Sequence, residues 1–228
     1  MAFLPNSVEI ARDAIRALNP QLENAFSSVI TFLMQSPEAA AVAKGGRAAP
    51  SVGTLEYIQR QARAFSKARV PSGPKPPSTV PDEMVSYILH AYFDAPVEEL
   101  PRIQREHALS MGAENMVGKL LECYLASVLE PAGWIWCSGD VVKAADFIKP
   151  LDTSLTSWRL LQVKNRSNSE NSSSSAIRNG TPIAKWFRTF STKPGSNWDA
   201  FPDADLENKP SEDGFRSFVR DYLLALRG

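Results

Sequence analysis

Five prolines fall within the eleven residues Pro71–Pro81 (PSGPKPPSTVP). Each removes a backbone donor and locks φ, so neither a helix nor an interior strand can run through them. The segment reads as a semi-rigid extended linker. It separates a helical N-terminal region, 1–70, from a core spanning 82–228. On the N-terminal side the apolar positions of Ser7–Leu18 recur at three and four, with Ser7 as N-cap and Asn19-Pro20 as the stop. Leu22–Met34 is a second amphipathic run and Thr54–Ala68, with Leu55, Ile58, Ala62 and Phe65, a third. Helical pattern resumes over Asp82–Phe93.

From about residue 110 the pattern changes. Ala113–Leu129 predicts a helix with Val117, Leu120, Leu121, Tyr124, Leu125 and Val128 inward, ended by Pro131-Ala132-Gly133. Three short β-prone runs follow, Trp134–Cys137, Val141–Ile148 and Trp158–Val163. A serine- and asparagine-rich loop leads into a predicted helix from roughly Pro182 to Phe190, and Glu212–Leu226, capped by Ser211, closes the chain. Helix, three strands and helix make an α/β core, a mixed sheet flanked by helices.

Lysine plus arginine and aspartate plus glutamate balance at 25 each, so no global field draws the chain to a polyanion. The balance is uneven along the sequence: residues 159–193 hold seven basic side chains against one acidic. That window marks a polyanion-facing segment. The two cysteines, Cys123 and Cys137, support neither a disulfide framework nor a zinc site and read as small hydrophobes in a reducing cytosol. The N-terminus lacks a signal-peptide pattern, and the apolar stretch at Val29–Met34 is too short to span a bilayer. A cytoplasmic protein without membrane contact is expected. His90 and His107 share no metal-ligand spacing and read as structural. No nucleophile triad, phosphate loop or dinucleotide fingerprint occurs.

The chemistry concentrates in Leu160-Leu161-Gln162-Val163-Lys164, where alternation puts Gln162 and Lys164 on one face. Asp146 ends the preceding predicted strand, near enough to converge with them. Glu122 lies on the helix before. Phosphodiester hydrolysis needs hard oxygen ligands for Mg²⁺ and a group that orients the attacking water. Asp146, Glu122 and the carbonyl of Val163 supply the oxygens, and Lys164 the ammonium. Glu114, two turns ahead of Glu122, is a candidate supporting partner.

An acid followed, about fifteen residues on, by Gln-x-Lys after an apolar run resembles the PD-(D/E)xK nuclease superfamily. Glu122 stands eleven residues before Gly133, as a metal-site glutamate does on the first helix of Mrr-like and resolvase-like members. The run from Gln162 to Thr181, with Lys185-Trp186-Phe187-Arg188 after it, resembles the SinI/AvaII-type type II restriction endonucleases, whose chains are of similar length. The resemblance implies a PD-(D/E)xK nuclease-like core and Mg²⁺-dependent cleavage of double-stranded DNA at GGWCC. It also implies a homodimer and a cognate DNA methyltransferase in the same system. Gln162 departs from the superfamily pattern, since Asp or Glu is commoner there and an amide ligates without charge.

Arg178 and Asn179, with Asn165, Arg166, Asn168 and Asn171, are the side-chain types that read base edges, Arg on guanine and Asn on adenine. Lys185 and Arg188, three apart on the predicted helix, suit phosphate. Trp134, Trp136, Trp158, Trp186 and Phe187 read as core. Residues 1–100 supply either a dimer interface or a duplex clamp. Two other readings share these residues: a DNA-binding module whose site has decayed at Gln162, and a modification- or repair-type endonuclease on the same scaffold.

Overall fold

A computed structural model describes residues 3–42, 49–167 and 183–227. Three N-terminal helices, α1 (Ser7–Arg16), α2 (Glu23–Gln35) and α3 (Leu55–Ala68), precede α4 (Glu83–Phe93) and the thirty-residue α5 (Leu100–Leu129). Strands β1 (Ile135–Trp136), β2 (Phe147–Pro150), β3 (Trp158–Arg166) and β4 (Ile183–Thr189) follow, then α6 (Glu212–Ala225). The sheet runs β1-β2-β3-β4, antiparallel up to β3 and parallel between β3 and β4.

Alternation along β3 divides the core. Leu160 joins Ile148 and the apolar faces of α1, α2 and α3, built on Ile15, Phe26, Ile30, Ile58 and Phe65. Leu161 and Val163 join Phe147, Trp186 and the inward face of α5, including Leu121, Tyr124, Leu125 and Leu129. The mixed sheet therefore lies between two helical layers, as the α/β expectation required.

Several boundaries differ from the sequence expectation. Pro182–Phe190 is not a helix; Ile183–Thr189 is a strand. The reason is tertiary: β3 is buried on both faces and needs a hydrogen-bonded neighbour on each edge, and β4 satisfies the second. Val141–Ile148 is strand only from Phe147, while Val141–Ala145 form a loop. The long helix begins at Leu100 instead of Ala113, with Pro101 tolerated in its first turn. Asn6, not Ser7, occupies the α1 cap position; Ser7 is buried and its hydroxyl has no partner. The Ser211 cap forms as expected, and Thr54 and Asp82 also cap their helices, each of the three side chains accepting from a first-turn amide.

The proline-rich segment is extended but strapped down. A Cβ on Gly112 of α5 would come within 2.9 Å of Pro76 N, so glycine lets the segment lie on the helix. Lys119 Nζ donates to Ser72 Oγ at 2.7 Å, and Ser72 N to the Tyr222 hydroxyl of α6 at 2.8 Å.

Two charged side chains, Arg69 half-buried and Asp203 buried, lock the layers together. Arg69, after α3, donates to Glu130 at 2.8 and 3.1 Å, to Ser138 Oγ at 3.0 Å and to Trp136 O at 2.9 Å. Its guanidinium also stacks over Phe65 and Trp136. Asp203, 4% exposed, accepts from Trp134 Nε1 at 2.8 Å and pairs with Arg159 and Lys149. Asp203→Ala would leave a buried indole donor and two cations without their acceptor. A loss of about 3 kcal/mol in urea unfolding is expected; a loss below about 1 kcal/mol would show the cluster to be dispensable.

Candidate active site

The site forms where two strands part. Pairing between β2 and β3 stops at Phe147 opposite Leu161, whereas β3 continues beside β4 to Arg166. The Val163 amide, beyond the end of the β2 ladder, donates to Asp146 Oδ2 at 2.7 Å. Asp146 N donates to Leu161 O at 2.9 Å, so the aspartate is held at both backbone and side chain. Asp146 thus immediately precedes β2 instead of ending a strand.

Glu122 reaches the same place from α5. Its neighbours Leu121, Tyr124 and Leu125 pack inward, and Glu122 Oε2 accepts from Trp136 Nε1 at 2.9 Å. Burial pushes its carboxyl up to about 7; the charge of Asp146 adds to the rise, and Lys164 opposes it. Burial likewise raises Asp146, against the Val163 amide and the Lys164 ammonium. Glu122, Asp146 and Lys164 therefore lie within reach of one another's charge, with Lys164 exposed and Gln162 buried on the strand.

Two contributors were not legible as such in the sequence. Asp140, in the loop between β1 and β2, raises both carboxyls through its charge. It sits at φ 56° after Gly139 at φ 79°, the left-handed region that asparagine, aspartate and glycine tolerate best. The Gly139-Asp140 pair was the available turn signal. A Cβ on Gly139 would come within 2.5 Å of Ala64 O, so α3 presses this loop into place. Trp136 was read as core; it is buried, and it also orients Glu122. No local signal announces that second duty.

The donor set suits a hard divalent cation. Asp146 and Glu122 each spend one oxygen on a protein donor and keep a second, and the two carboxylates disfavour each other's ionisation until a cation balances them. Among the described residues no cluster of three or more acidic, histidine or cysteine side chains could hold a metal. Two carboxylates are the usual protein share for a cation that keeps water and substrate phosphate as its other ligands.

Of the other expected residues, Glu114 is exposed on α5, roughly 12 Å along the axis from Glu122. Lys185 and Arg188 lie on opposite faces of β4, not on one helix face. Arg188 is engaged inside the fold: it donates to Asn165 Oδ1 at 2.9 Å and Glu212 Oε1 at 2.7 Å and stacks over Phe215. Lys185 stands opposite Gln162, and Arg166 is exposed at the end of β3. Asn168, Asn171, Arg178 and Asn179 lie outside the described residues. Trp134, Trp136 and Trp186 are core as expected, and Trp158 is half-buried against Phe32.

Comparison with known proteins gives the context. The family model described as SinI restriction endonuclease matches residues 7–225. The chain is 50% identical over 225 residues to the type II restriction enzyme Eco47I of Escherichia coli, covering 99% of this chain and 97% of that one. It is 48% identical, with the same coverage, to the type II restriction enzyme SinI of Salmonella infantis.

Proposed function

This chain belongs to the SinI restriction endonuclease family, and from that premise we propose that its type II, site-specific cleavage of double-stranded DNA is carried out by Asp146, Glu122, Gln162 and Lys164. The observation that carries the assignment is the mutual charge contact of Glu122, Asp146 and Lys164 at the point where β2 leaves β3. The target we propose is GGWCC, and the enzyme acts in the cytoplasm. Among the described residues no helix is long and apolar enough to cross a membrane.

Asp146 and Glu122 would hold Mg²⁺, with the Val163 carbonyl as a further oxygen. When bound, the ion supplies charge neutralisation at the scissile phosphate and at the departing 3′ oxygen. The remaining work belongs to the chain. Lys164, exposed beside two carboxylates, orients a water for in-line attack and balances negative charge on the phosphate. The Val163 amide and the Trp136 indole fix the two carboxylates before substrate arrives, so little reorganisation is needed during the reaction. Gln162, buried between Leu161 and Val163, contributes a neutral oxygen where a third carboxylate would add repulsion.

For recognition, we assign base reading to Arg178 and Asn179, supported by Asn165, Arg166, Asn168 and Asn171. Lys185 contacts backbone phosphate. Arg188, committed to Glu212 and Asn165, acts by holding α6 against β4. Cutting both strands of a two-fold site calls for two copies of the chain, and a cognate methyltransferase would protect the host without touching this protein.

Incubation with plasmid and Mg²⁺, followed by sequencing of the ends, tests the reading. Discrete fragments with ends inside GGWCC are expected, and none in EDTA. Binding without cutting would replace it with a DNA-binding module. Cutting confined to modified DNA would replace it with a modification-directed enzyme.

A further inference from the structure

One apolar helix of this protein lies almost wholly on the surface. None of the eleven residues of α4 is buried, although its sequence, Glu83–Phe93, is mostly apolar. Tyr87, Tyr92 and Phe93 are 65%, 78% and 65% exposed, and Met84, Val85 and Ile88 are each about half exposed or more. The N-terminal half of α5 continues the surface with Leu109 and Met111, and an apolar groove lined by Pro77, Val80, Val85 and Ile103 runs between them. An eleven-residue helix with only Ser86 and Leu89 partly covered is poorly sustained in water, because helices in proteins owe their stability to packing. Contiguous apolar surface of this extent marks an interaction site.

Charge excludes one occupant. Residues 82–112 carry six acidic side chains and two basic ones, so the hairpin repels phosphate and does not clamp DNA. One of the two basic residues, Arg102, is already taken by Glu99 and Glu106. Area points the same way. The three aromatics and their aliphatic neighbours expose on the order of 900 Å² per copy, which matches one side of a standard protein interface.

We propose that this face is where two copies of the chain associate, their α4 helices lying antiparallel across a two-fold axis near Ile88. Antiparallel pairing brings Tyr92 and Phe93 at one helix end beside the Val85 groove of the other copy, and the reverse contact follows by symmetry. The proposal rests on the reading of the chain as an enzyme that cuts both strands, and it names the surface that reading leaves open.

Sedimentation equilibrium of the whole protein, with and without a duplex carrying the target, tests it. The wild type is expected at twice its 25.1 kDa chain mass. Tyr87→Glu/Phe93→Glu should raise the dimer dissociation constant roughly a hundredfold or more, with circular dichroism unchanged because both side chains are exposed. Ile88→Cys should be joined to a second copy by a short bis-maleimide, whereas wild type, with its own Cys123 and Cys137, should not. Should the acidic variant fail to fold, the cross-link decides alone. A variant that stays dimeric, together with no cross-link at residue 88, overturns this surface but leaves the two-copy reading standing. A wild type that is monomeric on and off DNA overturns both.

Discussion

Asp146→Ala and Lys164→Ala should each lower the rate of DNA cleavage by about a thousandfold or more, while specific duplex binding in Ca²⁺ stays near wild type. Neither substitution removes a backbone–backbone hydrogen bond of the sheet. Lys164 is exposed, and Asp146 lies outside the β2 ladder, which begins at Phe147. What Asp146 adds is an oxygen fixed 2.7 Å from the Val163 amide, facing a charge problem that a cation resolves. Removing it leaves one carboxylate at the site and an unpaired amide on β3. Lys164→Arg separates charge from geometry: it keeps the cation but replaces a compact ammonium by a planar fork, and it should restore only a small part of the rate. Single-turnover cleavage measured beside filter binding distinguishes chemistry from recognition. Activity within tenfold of wild type in either alanine variant would remove that residue from the reaction.

Glu122→Gln should have two effects of opposite sign, lowering activity and raising stability. Burial beside Asp146 pushes the Glu122 carboxyl up to about 7, well above the 4.5 of a free glutamate. A carboxyl raised on folding holds its proton more tightly in the native state. Its stability contribution is therefore complete below pH 4.5 and is lost as pH rises to about 7. Above that range the ionised glutamate costs the metal-free protein at most about 3 kcal/mol. Glutamine keeps an oxygen for the Trp136 indole without the charge, so in EDTA at pH 8 the variant should unfold at higher urea than wild type. At pH 4.5 the two should nearly coincide. Added Mg²⁺ should stabilise wild type more than the variant, because the cation offsets a repulsion the variant lacks. Equal urea midpoints at pH 8 in EDTA would show that Glu122 is not desolvated as the geometry indicates.

Much of this was readable from local pattern. Apolar residues spaced by three and four announce α1, α2, α3 and α6, and Ser211 behaves as the expected cap because a side-chain oxygen beside an unsatisfied first-turn amide is a local matter. Asp146, Gln162 and Lys164 were singled out by spacing, and Glu122 by its distance from Gly133. Their convergence required only that adjacent strands and one helix meet. The failures cluster where the deciding partner is remote in sequence. Ile183–Thr189 carries residues compatible with a helix, and it becomes a strand because β3 has an open edge. Arg188 was chosen for its charge, yet Glu212 and Asn165 claim it from another helix and the neighbouring strand.

The order of residues alone thus determined the element types wherever periodicity and capping act within a few positions, together with the identity of the ionisable groups. Tertiary structure alone decided which groups share a low-dielectric space. Asp140 becomes an electrostatic partner of Glu122 and Asp146 because α3 presses on Gly139, and Glu122 acquires its raised carboxyl because burial and the charge of Asp146 outweigh the Trp136 indole that donates to it. The physical reason is range: hydrogen bonds along the backbone are settled between near neighbours, whereas desolvation and charge repulsion depend on whatever the fold brings alongside.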